Sequence, residues 1–173
     1  DYGKPDRLII HYYKKKLNKR ESALVERMLS RMSIKCPIYV INIVSAVNED
    51  LLAFDETHPD RMPLSGTYVH LRRDEYLLYN NERYAKGKKA DTLYPIKLTI
   101  TQGGSNTPAA PLAPLVAKQL ITQVYQFCRL YWKSVKMQRV PITIAYPEMV
   151  AQCVPHFKAE ELPEYGRQHL WML

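Results

Sequence analysis

Residues 7–44 constrain the fold more than any other stretch, because their hydrophobic period changes twice. Leu8, Ile9 and Ile10 run on into His11, Tyr12 and Tyr13. A continuous apolar start of this kind predicts a buried, partly parallel strand over Arg7–Tyr13. Lys14 to Asn18 is a polar turn, and Asn18 with Glu21 three residues on has the spacing of a capping box. Leu24, Val25, Met28, Leu29 and Met32 then recur at helical spacing, which predicts a helix over Lys19–Met32. Pro37 opens the second β-rich run, Ile38 to Val44. Strand, helix, strand in this order and length is a βαβ unit, with a right-handed crossover expected.

The remaining pattern adds strands and two helices. Asn48–Pro63 is polar and carries Pro59 and Pro63, so it reads as a loop. Gly66–Arg72 and Glu75–Asn80 read as short strands about a turn at Arg73-Asp74, and Tyr94–Thr101 as a further strand. Gly103–Pro114 has the glycines and prolines of a loop. Leu115–Val135 reads as the longest helix, with Val116, Leu120, Val124, Phe127 or Cys128, and Tyr131 on one stripe. A last helix is expected from Tyr146 or Pro147, since proline suits a first helical position. The sum is one α/β domain, a mixed sheet with helices on it, lacking the strands that would complete the layer upstream. The apolar tail Leu170-Trp171-Met172-Leu173 is expected to dock.

Composition enters where partners are concerned. The chain has 173 residues, enough for one hydrophobic core, and no apolar run approaches a membrane span. It opens on Asp1 rather than Met, which suggests a fragment or a processed piece. Cys36, Cys128 and Cys153 are far apart and odd in number, so neither a disulfide framework nor a metal knuckle is expected. A reducing, cytoplasmic location follows. Twenty-five basic against 17 acidic residues leave a net charge of +8, which favours an anionic partner, nucleic acid or membrane surface.

The cations fall in three groups. Arg83, Lys86, Lys88, Lys89 and Lys97 are opposed only by Asp91 and interleaved with Tyr84 and Tyr94. Such a loop can track a phosphate backbone, gaining affinity by counterion release, although a solvated surface loop has the same composition. Arg129, Lys133 and Lys136 have the spacing of one helix face, with Arg139 beyond. Lys14, Lys15, Lys16, Lys19 and Arg20 form a third run at a helix start, where cations oppose the macrodipole. The five histidines, His11, His58, His70, His156 and His169, show no metal-ligand spacing and read as structural or surface residues.

Four stretches in order, Arg7–Lys14 (RLIIHYYK), Met62–Val69 (MPLSGTYV), Glu75–Asn81 (EYLLYNN) and Gln126–Val135 (QFCRLYWKSV), run on to Pro141 and Tyr146–Ala151. Across nearly the whole chain the ordered set resembles the PIWI domain of Argonaute proteins, in a style most like the short prokaryotic Argonautes. The resemblance implies an RNase H-like (PIWI) fold, residues 1–173 being the C-terminal part of the domain. That family's nuclease centre uses carboxylates to hold two Mg²⁺ ions across a scissile phosphate. One such Asp would stand at Lys14, and no Asp or Glu occurs from Arg7 through Arg20. The final metal ligand falls on Glu148. The implied state is a catalytically inactive domain with no catalytic metal.

The resemblance also assigns contacts. Guide phosphates would meet the segment of Asn81, Arg83, Lys88 and Lys89, then Tyr131, Lys133 and Lys136, with Tyr146 adjacent. These would position the strand without reading its sequence. The C-terminal carboxylate of Leu173 would help hold Mg²⁺ on the guide's 5′-phosphate. The implied partners are a guide RNA or DNA, a complementary single-stranded DNA target, and an APAZ-containing effector of TIR or Sir2 type, in antiviral or antiplasmid defence. Asn48, Glu49 and Asp50 depart from the basic residues that eukaryotic relatives carry there. Two alternatives stay open: an active Mg²⁺-dependent nuclease using Glu148 and upstream carboxylates, and a protein-interaction module with a basic face.

Overall fold

The computed structural model describes residues 5–13, 17–45, 53–59, 61–81, 95–103, 112–131, 138–153 and 155. The βαβ unit is present. Strand β1 (Leu8–Tyr13) leads to helix α1 (Lys19–Arg31) and strand β2 (Ile38–Ser45), and β1 pairs parallel with β2, Leu8 opposite Ile38 and Tyr13 opposite Ile43. The predicted capping box closes α1: Asn18 Oδ1 accepts from the Glu21 amide, and the Glu21 carboxylate accepts from the Asn18 amide. Two otherwise orphaned N–H groups are satisfied at once, which sets where the helix begins.

Strands β3 (Tyr68–Arg72) and β4 (Glu75–Leu78) form the expected hairpin around Arg73-Asp74, and β5 (Ile96–Gly103) follows. The sheet order is β1-β2-β5-β4-β3, with β2, β5, β4 and β3 successively antiparallel. β1 therefore pairs on one side only among the described residues. All six of its residues are half-buried rather than buried. The apolar run predicts burial, but burial also needs neighbours on both edges, which periodicity does not supply.

Helices α2 (Pro114–Phe127) and α3 (Ile142–Cys153) complete the fold. Leu120, Ile121 and Val124 of α2 are almost fully buried against Ile41, Ile43, Leu78, Leu98 and Ile100. Each such side chain contributes about 1.5–3 kcal/mol by leaving water. α1 lies on the other face, where Val25 and Ser22 meet Ile10 and Val40 across a small crevice.

α1 stops one residue short of the predicted Met32, and helix limits differ from the periodicity in three further places. Pro114 is the first residue of α2 rather than the last of the loop, as its ring allows. α2 ends at Phe127, not Val135, because the Cys128 and Arg129 amides turn back onto Val124, Tyr125 and Gln126 carbonyls. Tyr131 therefore lies beyond the helical stripe. Finally, α3 begins at Ile142, so Pro147 sits inside it rather than at its start. The Pro141 carbonyl accepts the Ile144 and Ala145 amides and nucleates the first turn. Pro147 has no N–H for the Thr143 carbonyl, a loss that tertiary packing tolerates here.

Candidate nucleic-acid interface

The two basic segments 82–94 and 132–137 lie outside the described residues, but both ends of each are anchored in described structure. The first connects β4 to β5, whose residues Leu78 and Ile96 are register partners. Its start is pinned by Asn81, 1% exposed, whose Nδ2 donates to the Pro63 carbonyl at 2.9 Å. The second segment is closed at its base by the Gln138 amide, which donates to the Cys128 carbonyl at 2.9 Å.

Asn80 joins the two bases. It is buried, and its Nδ2 donates to the Gln138 carbonyl at 2.8 Å. The exit of β4 and the end of the second basic segment are thereby held together. Asn80 Oδ1 is buried without a hydrogen-bond partner among the described residues. Sequence reasoning passed over Asn80. The available signal was a pair of asparagines directly after an apolar strand, where the polar side chains enter the interior and must find partners.

A third link ties α2 to the segment preceding β3. Tyr125 Oη donates to Ser65 Oγ at 3.1 Å, and Arg129 Nη1 donates to Tyr125 Oη at 3.0 Å. The Arg129 guanidinium also lies 5.5 Å from the Tyr125 ring centroid. Gly66 lies beneath that ring with φ +89, and a Cβ there would come within 3.3 Å of Tyr125. Glycine answers both the left-handed backbone and the close approach.

Of the residues singled out from the sequence, the structure brings together Tyr131 and Tyr146, whose ring centroids are 6.1 Å apart. Asn81 is described but turned into the protein rather than toward solvent. Glu148 is exposed on α3. Arg129 stands in the turn after α2, so it does not share a helix face with Lys133 and Lys136 as the spacing predicts. Lys14, Arg83, Lys88, Lys89, Lys133, Lys136 and Leu173 lie outside the described residues. Among the described residues no three His, Cys, Asp or Glu side chains converge where an ion could be held. No described helix is long and apolar enough to cross a membrane.

His11 is a structural histidine with an unusual environment. Its Nδ1 lies 2.6 Å from Thr143 Oγ1 on α3, and its ring meets Phe127 edge-on at 5.8 Å. Desolvation lowers its pKa to about 4, so the ring is neutral at pH 7. Ile9, Gln123, Gln126 and Leu130 share the cavity it lines.

A mixed five-stranded sheet with a βαβ entry and helices on both faces is an α/β fold of the RNase H-like type. Solved structures that share it include Drosophila Piwi, at 15% identity over 87% of this chain and 20% of that one, TM-score 0.56. Clostridium butyricum Argonaute bound to a guide DNA and a 19-mer target DNA matches at 17% identity over 88% of this chain and 18% of that one, TM-score 0.53. Marinitoga piezophila Argonaute in complex with a guide RNA and target DNA matches at 11% identity over 85% and 19%, TM-score 0.51. The chain thus spans about a fifth of the length of these proteins. No protein-family model and no curated protein matches the chain.

Proposed function

We propose that this chain is the guide-holding, C-terminal part of a short prokaryotic Argonaute-type PIWI domain, which directs recognition of a complementary target without cutting it. The observation that carries the reading is the joining of two basic segments at their bases through Asn80 and Gln138. Cations carried by both segments would then be available to one strand from bases that are held together, and Tyr131, which precedes the second segment, lies beside Tyr146. Asn81 anchors the start of the first segment through its bond to the Pro63 carbonyl. The C. butyricum and M. piezophila structures hold DNA and RNA guides respectively, each with a DNA target. By likeness a guide of either chemistry and a single-stranded DNA target are the ligands here. Target binding would be signalled to an APAZ-type effector in the cytoplasm.

One feature supports the absence of cleavage: Lys14 stands where the family's catalytic Asp is expected, and an ammonium there repels Mg²⁺. Replacing Lys88, Lys89, Lys133 and Lys136 together by Ala should weaken guide binding for all sequences alike. The slope of log K against log salt should flatten by roughly one unit per lost contact. An unchanged slope would place these lysines in solvent. The same protein, given guide, target and Mg²⁺ or Mn²⁺, should leave the target intact; guide-dependent cleavage would instead establish an active nuclease.

A further inference from the structure

Helix α1 presents an outward face that nothing in the described structure covers. Leu24, Met28 and Met32 are 53%, 62% and 64% exposed. With Arg20 they form a row spaced every four residues, about 18 Å long at 1.5 Å per residue. Beside it runs a second row of the same spacing, Lys19, Ala23, Arg27 and Arg31, all exposed. The helix's two acids are directed away from this face. Glu21 bonds Tyr12 Oη and the Asn18 amide, and Glu26 lines the crevice against the sheet. An apolar ridge therefore lies next to a cationic ridge with no carboxylate between them.

We infer that this face is a docking surface for an amphipathic helix of a protein partner that carries a row of Asp or Glu beside its apolar row. Ridges spaced every four residues are the ones that interdigitate in the commonest class of helix packing. The cationic ridge selects an acidic partner by charge complementarity. A nucleic-acid backbone would use the arginines but gain nothing from Leu24, Met28 and Met32. A bilayer fits less well, because Arg27 and Arg31 adjoin the apolar row and would be carried in with it. The surface does not depend on the guide-binding reading, since it uses none of the segments proposed to hold the strand.

The test is fluorescence anisotropy of the full-length protein with two labelled helical peptides. Both have Leu at every fourth position; one has Glu and the other Lys in the adjoining row. The Glu peptide should bind at least about tenfold tighter than the Lys peptide, and Leu24→Ser with Met28→Ser should weaken it about tenfold. Arg27→Glu with Arg31→Glu should invert the preference toward the Lys peptide. That inversion is a gain of binding, which loss of structure cannot produce. Equal binding of both peptides, or indifference to the Leu24→Ser and Met28→Ser pair, would overturn the proposal. So would tight binding of single-stranded DNA or phosphatidylserine vesicles that depends on Arg27 and Arg31 but not on Leu24 and Met28.

Discussion

Replacing Asn80 or Asn81 by Leu should destabilise the protein by about 1–3 kcal/mol each, the cost of leaving a part-buried or buried carbonyl without its donor. The carbonyls are those of Gln138 and Pro63. Both variants should also bind single-stranded nucleic acid more weakly, although neither side chain reaches the surface. On the proposed function the reason is positional: these amides fix the described ends of the two basic segments, and loosening them would change how those ends are presented to a strand. Urea unfolding and anisotropy on the same preparations separate the possibilities. An Asn81→Leu protein of normal stability that nonetheless loses binding would show that Asn81 touches the phosphates itself. Normal stability and normal binding together would show that the two links carry no weight.

Acid should weaken the fold through His11. Its folded pKa is about 4 against an ordinary value of 6.5, because burial disfavours the imidazolium. Between those values the unfolded chain holds a proton that the folded chain does not, so stability rises with pH through the window. The contribution is complete above pH 6.5 and is lost as pH falls toward 4. Half-burial lets water screen part of the penalty, which leaves about 1–2 kcal/mol. A His11→Phe protein keeps an aromatic ring beside Phe127 and has nothing to protonate. Urea unfolding at pH 7 and pH 5 should show the parent losing stability and the variant losing distinctly less. Equal losses would mean that His11 takes up its proton in the folded state at an ordinary pH.

Local order was plainly written in the residues. Asn18 and Glu21 mark the start of α1 through a capping box that needs only four consecutive residues to form. The period change across residues 7–44 yields the parallel β1–β2 pair. The β3–β4 hairpin follows from two short runs around Arg73-Asp74. In each case the decisive interactions join residues close in sequence, or repeat with a period that a single element imposes. The basic character of segments 82–94 and 132–137 is also a property of composition, visible without coordinates.

Only the tertiary structure decided what those segments are attached to. Helical spacing carried α2 to Val135, yet Cys128 is fully buried and its carbonyl accepts from Gln138, so the chain turns out of the helix at Phe127. Pro147 reads as a helix start by propensity, while Pro141 nucleates α3 five residues earlier and packing overrides the proline's cost. Asn80 and Gln138 stand 58 positions apart, and His11 and Thr143 stand 132 apart. Neither pairing has a periodicity, because a hydrogen bond across the fold depends on where distant elements dock and not on the spacing within either. The amino-acid sequence therefore determined the elements and the charge they carry, and the packing of α2 and α3 on the sheet determined which polar side chains were buried and had to find each other.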